Sequence, residues 1–199
     1  MADHKVLSRS ALAGLATPQR LGAATSEPGV RIREIAEFAA LAVIARRGRV
    51  ADVAAALTGH AGTPVEDAAK RAGSRTLSIT GAAPGQWLAV HRGSPSGLDQ
   101  LRTELVELAA VTDQGDSRVL MEVSGPRARE ALAKGIPIDL DGAVFKVGDA
   151  AQTSASHIGL QIALIDDVPT FEILSARSTA ESLWSWLVAS AAEYGIEVT

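Results

Sequence analysis

From Arg118 to Tyr194 the chain alternates strand-length apolar runs with Gly and Pro turns and closes on a helix, and that order limits the fold to layered α and β elements. Arg118 to Val123 reads as a strand. A helix follows, opened by Gly125-Pro126 and stopped by Gly135. Strands are predicted at Gln152 to His157, Gln161 to Ile165 and Thr170 to Leu174, before a last helix begins at Arg177. Ser178 and Glu181 supply the S-x-x-E pattern of a capping box for that helix.

The first half shows the same kinds of element. Val30 to Glu37 and Leu41 to Arg46 read as strands, and Val50 to Leu57 as an Ala-rich helix. Arg75 to Thr80 and Gln86 to His91 form a hairpin around Gly81 to Gly85. Ser94-Pro95 starts a helix in which Leu98, Leu101, Leu105 and Leu108 share one face. The pattern predicts an α+β protein of two similar β-α-β lobes, with mainly antiparallel sheets and helices packed on one face. The expected organisation is a flexible N-terminal arm at 1–29, a first lobe at 30–116 and a second at 117–199.

With 199 residues, 47% hydrophobic and 21% charged, the chain is able to bury a core. A formal net charge of -4 disfavours attraction to phosphate backbones, so nucleic acid is not an expected partner. Zero cysteines exclude disulfides, thiolate nucleophiles and cysteine metal sites. No apolar run approaches the roughly 20 residues that cross a bilayer, and the opening residues lack the order of a signal peptide. A cytoplasmic protein without membrane contact is expected.

Motifs for chemistry are sparse. Neither G-x-G-x-x-G nor G-x-x-x-x-G-K-[ST] occurs, so the usual backbone cradles for dinucleotides and triphosphates are missing. His4, His60, His91 and His157 lack the spacing that aims two rings at one metal. Asp139, Asp141, Asp166 and Asp167 sit beside Gly142 and Pro169 and read as turn formers. Arg46, Arg47 and Arg49, and Lys70, Arg71 and Arg75, form basic clusters without interleaved aromatics, which points to a solvated face or a salt-bridging interface. No catalytic, cofactor-binding or metal-binding residue is assigned. Trp184 and Trp186 diverge by about 200° around the last helix. The predicted buried stripe is Ala180, Leu183, Leu187, Ala191 and Tyr194, with Trp184 on its border and Trp186 further off it. Trp186 is therefore the leading candidate contact with a partner, accompanied by Trp184 and Arg177.

Three blocks carry a family resemblance: S-G-P-R-A-R-E-A-L-A-K-G (Ser124 to Gly135), F-K-V-G-D-A-A-Q-T (Phe145 to Thr153) and R-S-T-A-E-S-L-W-S-W-L (Arg177 to Leu187). With the opening S-A-L-A-G-L (Ser10 to Leu15), they resemble the gamma subunit of heterotetrameric sarcosine oxidase, itself distantly similar to folate-binding aminomethyltransferases. The resemblance implies an aminomethyltransferase-like fold and a non-catalytic accessory subunit. It further implies an assembly that converts sarcosine, oxygen and tetrahydrofolate to glycine, hydrogen peroxide and 5,10-methylenetetrahydrofolate. The alpha subunit is the implied direct partner, with beta and delta subunits in the same complex. FAD, FMN, NAD, tetrahydrofolate and zinc are implied in those partners, and none in this chain. The Ser-Gly-Pro block also allows an independently acting folate-binding one-carbon transferase, and paired α/β lobes allow a small ligand-sensing regulator by fold analogy alone.

Overall fold

Side chains alternate across a strand, so a strand buried on both faces distributes its residues between two environments. The computed structural model describes residues 9–199. Along it, β1 (Gln19–Leu21), β2 (Val30–Glu34) and β3 (Phe38–Ala45) lead into helix α1 (Val50–Ala61). Strands β4 (Arg71–Gly73), β5 (Leu77–Ala83) and β6 (Gln86–Arg92) precede a 3₁₀ turn at Pro95–Leu98 and helix α2 (Asp99–Glu104). Next come β7 (Ala109–Asp113), β8 (Arg118–Ser124), α3 (Ala128–Ala133), β9 (Ala150–Ala155), β10 (Ile158–Asp166) and β11 (Thr170–Ala176). A 3₁₀ turn at Arg177–Thr179, α4 (Ala180–Ala191) and β12 (Ile196–Val198) complete the order.

These strands form a five-stranded sheet, β4-β5-β6-β3-β7, and a seven-stranded sheet, β1-β12-β2-β8-β11-β10-β9. Among the described residues every ladder is antiparallel except β12 with β2. Each sheet carries helices on one face, as the sequence pattern predicts. Val119, Met121 and Val123 of β8 and Phe171 and Ile173 of β11 pack with Leu183 and Leu187 of α4. Leu41 and Val43 of β3 and Trp87 of β6 pack with Val53 and Leu57 of α1 and Leu101 of α2. The intervening residues, Ala40, Leu88, Val90, Leu120 and Leu174, form a third cluster. The helix-free faces of the two sheets therefore meet, and the layers run helix, sheet, sheet, helix.

Tight turns set the connections. Gly85 closes the β5–β6 hairpin at φ +67, a conformation that costs glycine nothing. Ser156 and His157 both take positive φ (46 and 73) between β9 and β10, the type I′ pattern that matches the twist of an antiparallel pair. Helix α1 stops at Gly62, which is left-handed and returns its N–H to the Thr58 carbonyl.

Four expectations change. The strand from Val30 ends at Glu34 and leaves the first lobe altogether, pairing with β8 and β12 in the seven-stranded sheet. Both its apolar residues, Val30 and Ile32, are fully buried there, and two partner ladders satisfy its backbone. The arm expected at 1–29 is structured from residue 9 on: Leu12 is 1% exposed in the larger core, and Gln19–Leu21 pairs with β12. Met1 to Ser8 lie outside the described residues. The leucine-periodic helix opens as a 3₁₀ turn in which Ser94 accepts from the Ser96 N–H, and only Asp99–Glu104 is α-helical. Finally, Ser178 and Glu181 do not close a capping box, because Arg177–Thr179 winds as a 3₁₀ turn and the Thr179 hydroxyl donates to the Ala176 carbonyl at 3.0 Å.

Leu12→Ala should lower the unfolding free energy by about 2–4 kcal/mol in urea melts, as for a core leucine. A loss below about 0.5 kcal/mol, typical of surface substitutions, would show that this segment does not belong to the cooperative core.

Candidate functional site

The layer between the sheets holds the charged residues that the apolar strands carry. Glu122 of β8 and Glu172 of β11 are directly opposite in register, 7% and 6% exposed. Two carboxylates so placed repel each other and lose hydration. Arginines from the other lobe compensate. Arg92 of β6 reaches both acids, Nη1 to Glu122 and Nη2 to Glu172, each at 2.6 Å. Arg75 binds Glu122 at 2.7 Å and Asp166 at 2.6 Å, and Arg71 approaches Glu172 at 3.3 Å. Burial alone would lower the Arg92 pKa, but its bonds to Glu172 and Glu122 outweigh that and raise it. The basic run Lys70, Arg71 and Arg75 is thus a salt-bridging interface inside the chain.

A second pair continues this seam. Lys70 bridges to Asp149, and Arg71 N–H and Ala150 N–H join the two lobes by backbone bonds to Gly148 and Ala69. Burial pushes the Asp149 carboxyl up, yet the Lys70 ammonium and the Lys146 N–H together hold it below the usual range, while Asp149 raises Lys70. Asp166 is likewise pushed up by burial and held lower by the Val168 N–H, the Thr170 hydroxyl and Arg75.

Beyond the ion pairs the sheets part, leaving a cleft of about 510 Å³. Ala42, Ile44 and Leu88 form one wall; Leu174, Gln161 and Gln152 belong to the other, and Arg118 lies at its side. Such a cavity is of the size that takes small molecules. Among the described residues, no group of three or more His, Cys, Asp or Glu side chains is placed to hold a metal ion.

The predicted contact residues separate. Trp184 is 6% exposed within the larger core, a correction to its place on the border of the stripe: the buried face extends past Ala180 and Ala191 to take it in, while Ser190 widens the face on its other side, toward Trp186. Trp186 is half-buried, its ring lying over Gly135 so closely that a Cβ there would sit 2.7 Å from Nε1. Part of its surface is therefore used by its own chain. Arg177 is exposed and donates to the carbonyl of Arg9. The aspartates behave as turn formers: Asp139 accepts from Asp141 N–H, Asp141 from Ala143 N–H and Asp166 from Val168 N–H. His157 is exposed in its hairpin turn.

Sequence reasoning did not single out Glu122, Glu172, Arg92 or Arg118. A signal existed: Val-Leu-Met-Glu-Val and Phe-Glu-Ile-Leu each place one acid within an apolar strand, and a buried acid requires a cationic partner.

Comparisons with known proteins follow this geometry. The model of the sarcosine oxidase, gamma subunit family matches residues 47–193. The chain is 28% identical over 198 residues to sarcosine oxidase subunit gamma of Corynebacterium sp. (strain U-96), covering 98% of this chain and 95% of that protein. It is also 28% identical over 173 residues to the subunit of the same name from Corynebacterium sp. (strain P-1), covering 84% and 83%. Among solved structures it resembles a chain of the heterotetrameric sarcosine oxidase from Corynebacterium sp. U-96, with TM-score 0.79 and 27% identity over 94% of this chain and 95% of that one. The aminomethyltransferase T of the Bartonella henselae glycine cleavage system shares the fold at TM-score 0.58 and 16% identity, over 86% of this chain and 48% of that chain.

Two predictions follow from the seam. Arg92→Leu leaves the facing carboxylates short of their shared cation and should cost about 3–5 kcal/mol in urea unfolding; an unchanged midpoint would mean the layer is solvated. Carboxyls held low in the folded state contribute stability that is present above about pH 4 and lost as pH falls through the folded values. Stability should therefore fall on acidification below that point. Lys70→Met should flatten the fall by removing the share that belongs to Asp149, as read by melts at successive pH values.

Proposed function

The chain belongs to the sarcosine oxidase gamma subunit family, and from that premise we propose that it serves as the accessory gamma chain of a heterotetrameric sarcosine oxidase. It docks on the large alpha subunit, with beta and delta subunits in the same cytoplasmic assembly. The assembly takes sarcosine, oxygen and tetrahydrofolate to glycine, hydrogen peroxide and 5,10-methylenetetrahydrofolate. FAD, FMN, NAD, tetrahydrofolate and zinc belong to the partner chains, and this chain contributes by holding the alpha subunit in its working arrangement.

The observation that carries this reading is the nearly end-to-end superposition on one chain of a heterotetramer, at 27% identity. The internal chemistry is consistent with it, since Glu122 and Glu172 are each bound by arginines that join the two sheets. For the contact surface, the half-buried Trp186 and exposed Arg177 remain the proposed residues. Exposed valines on loops at the opposite end of the seven-stranded sheet from Arg177, Val144 (56%) and Val168 (63%), offer a second apolar surface of the kind that partners cover.

Co-expression with and without the alpha subunit tests the proposal. The two chains are expected to co-elute in a fixed ratio, and the gamma chain to melt higher in the complex. Failure to co-elute, with equal melting alone and in the mixture, would overturn it. Val168→Asp should weaken the complex about tenfold or more while leaving the melting of the isolated chain unchanged. Trp186→Ala should weaken it too, with some loss of intrinsic stability because the ring covers Gly135.

A further inference from the structure

We infer that the cleft between the two sheets is a binding site for a small carboxylate whose body carries an N–H group and an apolar end, recognised through Arg118. The inference stands apart from the docking reading and uses only this chain's own groups. Where Glu122 and Glu172 meet Arg71, Arg75 and Arg92, the layer between the sheets is filled and its charges are matched. Further along the same layer three of the side chains that face inward are small, Ala42 on β3, Ala82 on β5 and Ala176 on β11, and they help leave the cleft of about 510 Å³.

Charge distinguishes this half of the layer. Among the described residues Arg118 is the only charged one that lines the cleft. It is half-buried, and among the described residues its guanidinium bonds only to a neutral oxygen, Gln114 Oε1, at 3.3 Å from Nε and 3.1 Å from Nη2. The three arginines that meet Glu122 and Glu172 each bond a carboxylate. Arg118 also lines a neighbouring pocket with Glu34, Glu37 and Asp116, and among the described residues no carboxylate bonds it; beside apolar walls that keep the local dielectric low, such an arginine attracts an anion more strongly than it would in open water. Its forked N–H groups fit the two oxygens of a carboxylate.

The remaining groups define the body of the ligand. Gln161 of β10 and Gln152 of β9 are directly opposite in register and both line the cleft. Gln161 is buried and donates to the Gly81 carbonyl at 3.5 Å, which turns its amide oxygen into an acceptor for an N–H on the ligand. Leu88 on one wall and Leu174 on the other supply apolar surface, and Ile44 beside Leu88 is 47% exposed, a branched aliphatic side chain left open on a strand otherwise covered. Arg118, Leu174 and Gln161 stand on the successive strands β8, β11 and β10, so charge, apolar surface and amide line a single cavity.

Hippurate carries all three features and is the probe; hippuramide, its uncharged counterpart, is the control. Isothermal titration calorimetry on the full chain is expected to show saturable, one-to-one binding of hippurate, with hippuramide at least about tenfold weaker. Arg118→Gln should lower hippurate affinity by at least about tenfold and bring the two compounds level. Ala42→Leu fills the cleft without touching a charge and should abolish binding with the thermal midpoint retained, so the proposal stays testable if Arg118→Gln folds poorly. The assembled oxidase should bind hippurate at the same site, with the same sensitivity to Ala42→Leu. Absence of saturable binding, equal affinity for hippuramide, retention of binding in Ala42→Leu, or loss of binding on assembly would each overturn the inference.

Discussion

Glu122 and Glu172 face each other on adjacent strands at the interior of the molecule, and among the described residues their ion pairs all come from the other sheet's side. The seven-stranded sheet therefore tolerates its own middle only when the other sheet lies against it, because Arg71, Arg75 and Arg92 all come from the opposite lobe. Hydrophobic burial would let the two sheets slide, since alanine, leucine and valine fit one another in many registers. An arginine that holds two acids at 2.6 Å permits one. The lobes are joined by chemistry that fixes position more than by chemistry that adds stability.

This arrangement explains why the layer has two characters. Near Arg92 the sheets are drawn together by charge; around Ala42, Ala82 and Ala176 no ion pair among the described residues joins them, and the small side chains keep a gap open. The backbone bonds around Lys70 and Asp149, with Gln161 reaching Gly81, fasten the seam along one edge. Position in the fold thus separates a structural half from a half with room for a guest.

Much of this architecture was legible from residue order. Gly85 marks its turn because only a residue without a Cβ adopts that dihedral freely, whereas the first helix, expected to stop at Leu57, runs on to Ala61 before Gly62 ends it. The strands of the second lobe stand out because alternate residues serve two apolar environments. What was not legible depended on long-range pairing. Val30 and Ile32 look the same whichever sheet takes them, and sequential proximity favoured the wrong one. Leu12 lies among Ala, Gly and Ser with no periodic neighbours, so its insertion into a distant core leaves no local trace. Arg118 reads as the polar start of a strand, and only the unfilled space beside it gives its charge a meaning.

The crossed membership of β2 has a consequence for biosynthesis. That strand emerges from the ribosome early, yet its ladder partners β8 and β12 are translated only after the whole five-stranded sheet. The inner lobe is able to close around its own hairpins while a length of apolar chain ahead of it waits, unpaired and adhesive, for neighbours not yet made. A nascent chain of this design is most vulnerable to aggregation in that interval, and its maturation rate is set by how quickly the late strands arrive to capture the early one.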